Sequence, residues 1–215
     1  MPAHHIIAID GPAASGKSSV ARALAQRLRF SYVNSGAMYR AVTWHVLQRG
    51  VNVHEPAAVA AAVEQSRIVC DLVDKQSRIL IDDDDPTPHL RDDDVNRAVS
   101  LISSVPRVRE ILVARMREYA NKDNVVMEGR DIGSVVFPKT PFKFYIDASP
   151  EVRLQRRLAE GQRDEIAARD RADSSRVTSP LVVAPDATVI DTSALTIDGV
   201  VDEILQRLRE KGLRI

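Results

Sequence analysis

The chain has 215 residues, enough for one substantial core with a small insertion and short of two full domains. Lys and Arg together number 30, and so do Asp and Glu, so net charge gives no reason to expect nucleic acid or a membrane surface as a partner. A single cysteine, Cys70, excludes an internal disulfide framework, no apolar run reaches bilayer length and the first residues carry no leader pattern; a cytoplasmic monomer is the expected state.

The apolar run HIIAID (5–10) reads as a buried strand that leads into Gly11. Val20, Leu24 and Leu28 then fall four apart, one face of a helix. FSYVN (30–34) reads as a second strand, GAMYRAVTWHVLQRG (36–50) as a helix stopped at Gly50, and Pro56 opens a further helix. RIVCDLV and RILID flank DKQS as a hairpin would, so residues 66–96 read as an insert in a strand–helix alternation. A helix is expected from about Asp92 to Ser103, its start favoured by Asp92, Asp93 and Asp94, and Pro106 restarts a helix to about Ala120. NVVME (124–128), FKFYID (142–147) and ATVID (187–191) are three further strands. An arginine-rich helical segment opened by Ser149 and Pro150 lies between the last two. A closing helix is capped by Thr196, faced by Val200, Val201, Ile204, Leu205 and Leu208, and ended by Gly212. Five strands alternating with helices argue for a parallel sheet covered on both faces.

GPAASGKS (11–18) fits G-x-x-x-x-G-K-[ST] without a mismatch, behind a strand and at the start of a helix. In such a loop Gly11, Pro12, Ala13, Ala14, Ser15 and Gly16 curl the backbone so that amide hydrogens face phosphate oxygens, with Ser19 on the first turn of the helix. Lys17 reaches the β- and γ-phosphates and the Ser18 hydroxyl ligates Mg²⁺. The loop points to ATP with Mg²⁺ and leaves the acceptor open, because switch GTPases and motor ATPases use it as well.

An acceptor that is itself a phosphate needs no general base. Its oxygens are already ionised, and the chemical requirement is cancellation of charge between two polyanions in a site without water. Arginine suits this, being always charged, planar and bidentate toward phosphate. Arg40 follows the second strand, Arg130 follows the third, and residues 153–176 hold seven arginines and no lysine, the composition of a closing lid. Arg107 and Arg109 lie by the insert, and Asp131 and Asp173 are candidates for reading polar edges of an acceptor. A switch or binding module would need a guanine-reading N-K-x-D motif; NKDN (121–124) is a near miss in the wrong place, before a strand. The run Asp82 to Asp85, beside Pro86 and Pro88, lacks the spaced ligands of a calcium loop and reads as a solvated turn.

In order, GPAASGKSSVA, SGAMYRA, SSVPRVRE, EGRDIGSVVFP and DRADSSR with the following SPL resemble the bacterial cytidylate kinase family of nucleoside monophosphate kinases, over about residues 5 to 210. The resemblance implies a P-loop NTPase three-layer α/β fold. Its CORE (1–35, 105–152, 177–215) holds a five-stranded parallel sheet, joined by an NMP-binding lobe (36–104, insert 66–96) and an arginine-rich LID (153–176). It implies ATP + CMP ⇌ ADP + CDP, with dCMP accepted. Arg40, Arg130 and Arg176 are then expected on the acceptor phosphate. Arg109 and Asp131, with Ser35 and Tyr39 nearby, are expected on the base, and Arg169 and Asp173 on the pentose, with Ser100 meeting Asp173. Lys17, Arg130, Arg169 and Arg176 would stabilise the transferring group, and Arg153 or Arg157 would lie toward the adenine. Two departures stand out: Glu128 occupies a position that is Asp in many relatives, and the segment between Arg157 and Arg169 is short.

Overall fold

The computed structural model describes residues 4–159, 166–176 and 178–214, with the side chains of 166–169 outside that description. In chain order its elements are β1 (Ile6–Asp10), α1 (Lys17–Leu28), β2 (Ser31–Asn34), α2 (Ser35–Gln48), α3 (Pro56–Glu64), β3 (Ile68–Val73) and β4 (Gln76–Ile81). They continue with α4 (Asp93–Ser104), α5 (Pro106–Glu118), β5 (Val125–Gly129), β6 (Phe142–Asp147), α6 (Pro150–Ala159), α7 (Ile166–Ser174), β7 (Thr188–Asp191) and α8 (Ile197–Glu210). Two compact units emerge: Met1–Val33 with Ala120–Ile215, and Asn34–Tyr119.

In the first unit β1 is buried at all five residues, which is why it reads as a continuous apolar run and not as an alternation. It runs parallel to β5, with Ile6 opposite Val125 and Asp10 opposite Gly129, and parallel to β6, with Asp10 opposite Tyr145. β7 extends the ladder, parallel to β6. In the order β2-β5-β1-β6-β7, β1 is the middle of these five strands, and its carboxyl end, where Asp10 meets Gly11, is flanked by β5 and β6. Among the described residues the strand order has seven members where five were expected, the antiparallel hairpin β3–β4 being the difference. A two-stranded ribbon alone is marginal in water, and Ile79 and Ile81 of β4 are buried.

The core of this unit forms where α1 packs on α8 over the sheet. Val20, Ala21, Leu24 and Ala25 meet a cluster that includes Val200, Val201, Ile204, Leu205 and Leu208. Burial of each large aliphatic side chain contributes about 1.5–3 kcal/mol, enough to hold two helices of 12 and 14 residues that would be marginal alone. Thr196 caps α8 by accepting from the Gly199 amide at 3.1 Å.

In the second unit Asn34 caps α2, its side chain accepting from the Ala37 amide at 3.0 Å. Asp74 and Lys75 have φ of 49° and 62°, the pair of left-handed residues that a two-residue hairpin turn requires, so the turn is tighter than the four-residue DKQS. Val105, extended before Pro106, separates α4 from α5. Val59 and Val63 of α3, Val95 and Ile102 of α4, and Val108 and Leu112 of α5 are buried, and α3 and α4 both pack on α5. No helix among the described residues is long and apolar enough to cross a membrane.

Where β1 enters the loop, a Cβ added at Gly11 would stand 2.1 Å from the Ile146 carbonyl oxygen and 3.1 Å from Ser15 Oγ. The backbone of β6 cannot retreat without breaking its ladder. Gly11→Ala is therefore expected to destabilise the fold by about 2–4 kcal/mol, read as a lower urea midpoint at constant m; an unchanged midpoint would contradict the close approach.

Candidate active site

The turn after β1 is the segment that fits G-x-x-x-x-G-K-[ST]. Gly16, in the left-handed region at φ 88°, lets the chain turn sharply into α1, whose first amides have no side-chain cap. That end of the helix carries a positive dipole. Lys17 is buried and donates from Nζ to the Pro12 carbonyl at 3.0 Å, across the mouth of the loop. The Ala13 amide already donates to an anionic oxygen, Oδ1 of Asp170, at 3.1 Å. Ser15 Oγ is buried without a hydrogen-bond partner among the described residues, which leaves a polar atom in the cradle for a ligand to satisfy. Ser18 and Ser19 are exposed on the first turn of α1.

The arginines of α6 lie against this loop. Arg156 Nη1 donates to the Ser15 carbonyl and to Thr192 Oγ1, both at 3.1 Å, while Nη2 donates to the Thr192 carbonyl at 2.8 Å. Thr192 Oγ1 in turn donates to the Ser15 carbonyl at 2.9 Å, so the loop after β7 and α6 both grip the outside of the turn. Arg153 donates to the Ala13 carbonyl at 3.3 Å and pairs closely with Asp170. The sequence motifs did not single out Arg156, Thr192 or Asp170; spacing alone does not say which of seven arginines faces the loop. Arg157 is half-buried, and the side chain of Arg169, on α7, lies outside the described residues.

A second cluster stands after β5. Arg130 Nε donates to Asp173 Oδ2 at 2.8 Å, and Arg176 pairs closely with the other oxygen of the same carboxylate. Asp173 is 2% exposed, so two guanidinium groups converge on one buried carboxylate. Asp131 is buried beside them, and its carbonyl accepts from the Val135 and Val136 amides of the turn that follows. Glu128, also buried, accepts from the Tyr32 hydroxyl at 2.9 Å.

Asp10, at the end of β1, accepts from the Ile132 amide at 2.8 Å and the Gly133 amide at 2.7 Å. Burial pushes its carboxyl up to about 6; the Gly133 and Ile132 amides and the Arg130 charge oppose that rise, and the neighbouring Asp131 adds to it. No motif flagged this residue.

The second unit holds the other expected site residues. Arg40 donates to the Leu90 carbonyl at 2.9 Å and to Asn96 Oδ1 at 2.6 Å. Arg109 is 2% exposed; it donates to the Ser103 carbonyl at 3.1 Å, and its guanidinium lies 5.2 Å from the centre of the Tyr39 ring. Ser35 is buried at the start of α2, and Ser100 is half-buried on α4 with its carbonyl accepting from Ser103 Oγ at 3.2 Å. The structure thus gathers Arg130, Asp173 and Arg176 in one unit and Tyr39 with Arg109 in the other. No group of three or more His, Cys, Asp or Glu side chains that could hold a metal ion is found among the described residues.

The family model for cytidylate kinase matches residues 7–210. The cytidylate kinase of Nocardia farcinica is 44% identical over 211 residues, covering 93% of this chain and 91% of the relative. That of Geobacillus kaustophilus is 43% identical over 216 residues, covering 95% and 96%. Among solved structures, TT1252 from Thermus thermophilus superposes with a TM-score of 0.51 at 15% identity, covering 98% of this chain and 99% of that one, a likeness of fold alone.

An acid whose pKa is higher folded than unfolded holds its proton more tightly in the folded state. The stability that Asp10 contributes is therefore full below about pH 4, falls between about pH 4 and 6, and is flat above. The difference in unfolding free energy between the wild type and Asp10→Asn should accordingly shrink by about 3 kcal/mol over that window in urea titrations. A difference independent of pH would contradict the burial of this carboxyl.

Proposed function

Because the chain belongs to the cytidylate kinase family, we propose how its residues carry out that family's reaction, transfer of the γ-phosphoryl group of ATP to CMP or dCMP, giving ADP and CDP or dCDP. The observation that carries the reading is the pairing of Arg130 and Arg176 on buried Asp173. Two guanidinium groups held side by side on one carboxylate present the planar, bidentate donors that suit a phosphate dianion.

ATP takes its phosphates in the loop 11–19, where backbone amides and the amino end of α1 face them. Lys17 leaves the Pro12 carbonyl for the β- and γ-oxygens, and the Ala13 amide exchanges the Asp170 carboxylate for a phosphate oxygen. Ser15 Oγ gains the partner it otherwise lacks. The exposed Ser18 hydroxyl would hold Mg²⁺ carried by the triphosphate, and the ion would supply neutralisation of charge between the phosphates. Arg153 and Arg156 fix the loop from outside, and Arg153 or Arg157 extends toward the adenine.

On the acceptor, Arg40, Arg130 and Arg176 hold the phosphate, and one of its ionised oxygens attacks the γ-phosphorus as the bond to the ADP oxygen breaks. No proton has to be removed, so rate depends on alignment and on cations placed where charge shifts. Asp131 accepts from the exocyclic amine of cytosine, and Arg109, held by Tyr39 and the Ser103 carbonyl, donates to the ring carbonyl and nitrogen. Uracil turns a carbonyl toward Asp131, which disfavours UMP. Arg169 and Asp173 contact the pentose, with Ser35 and Ser100 completing the acceptor set. We place the reaction in the cytoplasm, with the chain acting as a monomer and without nucleic acid.

A coupled ADP-release assay with CMP, dCMP, UMP and AMP in parallel tests the acceptor; preference for UMP or AMP would overturn it. Arg130→Ala should lower kcat/KM for CMP on the order of 10²–10³-fold while KM for ATP stays within about threefold, since a charge-assisted contact to the transferring group is lost and the donor loop is untouched. Asp131→Ala should reduce the preference for CMP over UMP on the order of tenfold or more; an unchanged preference would place base reading elsewhere.

A further inference from the structure

We propose that Asp10 is a positioning residue for acceptor recognition: from the end of β1 its carboxylate anchors the turn that presents Arg130 and Asp131. This rests on the acceptor roles proposed above for those two residues. Asp10 belongs to the segment that enters the donor loop, yet its hydrogen bonds go the other way. Oδ1 takes the Ile132 amide at 2.8 Å and Oδ2 takes the Gly133 amide at 2.7 Å, two residues that follow Arg130 and Asp131 directly.

The turn needs such an anchor. Residues Ile132–Val136 form one π-helical turn, with no side-chain cap supplied by Asp131 at its start. The first amides of a helical turn have no partner within it, and here they are buried, so each would cost on the order of 1–3 kcal/mol if left unpaired. Asp10, 5% exposed, satisfies two of them at once and is thereby a cap supplied from more than a hundred residues away in sequence.

Two bonds from a planar carboxylate fix the orientation of the Ile132 and Gly133 peptides. Through them they fix the direction in which Asp131 leaves the chain, at φ −145° and ψ 24°, a conformation outside the regular helix and strand regions. The fit is close from the other side as well. A Cβ added at Gly133 would lie 3.3 Å from Asp10 Oδ2 and 3.2 Å from the Lys143 side chain. The charged groups around Asp10 are Arg130 and Asp131 on the turn and Lys143 on β6, whose Nζ is held at 2.7 Å by the Asp186 carboxylate. None of these replaces the two amide bonds, so a change at Asp10 is felt first by the turn that carries Arg130 and Asp131.

The test measures kcat and KM for ATP, CMP and UMP in Asp10→Asn, Gly133→Ala, Asp131→Asn and the double variant Asp10→Asn with Asp131→Asn, each checked for folding by its thermal transition. Asp10→Asn keeps the shape but turns an amide N–H₂ toward one backbone N–H. It should lower kcat/KM for CMP about 10- to 100-fold and erode the preference for CMP over UMP, with KM for ATP changed less than about threefold. Gly133→Ala, which keeps the carboxylate and crowds it, should move the same quantities in the same direction by a smaller factor and covers the case in which Asp10→Asn does not fold. The double variant should lose little selectivity beyond Asp131→Asn alone, because both changes act on one contact. Equal losses toward ATP and CMP would overturn the proposal, assigning Asp10 to the donor loop, and so would an unchanged CMP preference in both Asp10→Asn and Gly133→Ala while Asp131→Asn loses it. If Asp131→Asn itself keeps the preference, the base-reading role of Asp131 fails instead, and with it the premise on which Asp10 was placed.

Discussion

Two guanidinium groups repel, and in a site shielded from water the repulsion is large unless a carboxylate stands between them. Asp173 supplies that carboxylate for Arg130 and Arg176. The arrangement keeps both arginines oriented on one buried side chain. Replacing the carboxylate by an apolar group would leave two cations side by side, and removing either arginine would take one positive charge from the cluster. The chemistry proposed here depends on this balance more than on any individual hydrogen bond to substrate.

The same device recurs around the donor loop. Asp170 takes the Ala13 amide and pairs with Arg153, so a carboxylate stands where a phosphate oxygen is expected. Arg156 spans Ser15 and Thr192, tying α6 and the segment after β7 to the loop through carbonyl oxygens and not through charge. Acidic side chains therefore do as much to shape this anion-binding protein as basic ones do. That explains how a chain with equal numbers of acidic and basic residues builds sites for polyanions.

The scaffold beneath these clusters is ordinary aliphatic packing. β1 is buried along its whole length between β5 and β6, and the positions of Gly11 and Asp10 follow from its register with those two strands. A loop that must hold its backbone amides toward phosphate gains from such a mount, since rigid placement spares the cost of reorganisation during transfer. The close approach of Gly11 to the Ile146 carbonyl shows how little slack the mount leaves.

Local pattern was enough to read the five strands of the alternation, the start of α1 and the phosphate loop, because each rests on residues adjacent in sequence: an apolar run, a four-residue spacing, a glycine turn ahead of Lys17. The count of strands in the sheet was not readable in that way, since residues 68–81 look the same locally whether their hairpin stands apart or adds to a sheet. Nor could sequence choose Arg156 from seven arginines, or reveal that Asp10, Asp170 and Asp173 act as anchors. A carboxylate looks alike in sequence whether it faces water or two buried amides, and only the folding of distant segments onto one another decides which partner it meets and how far its pKa moves.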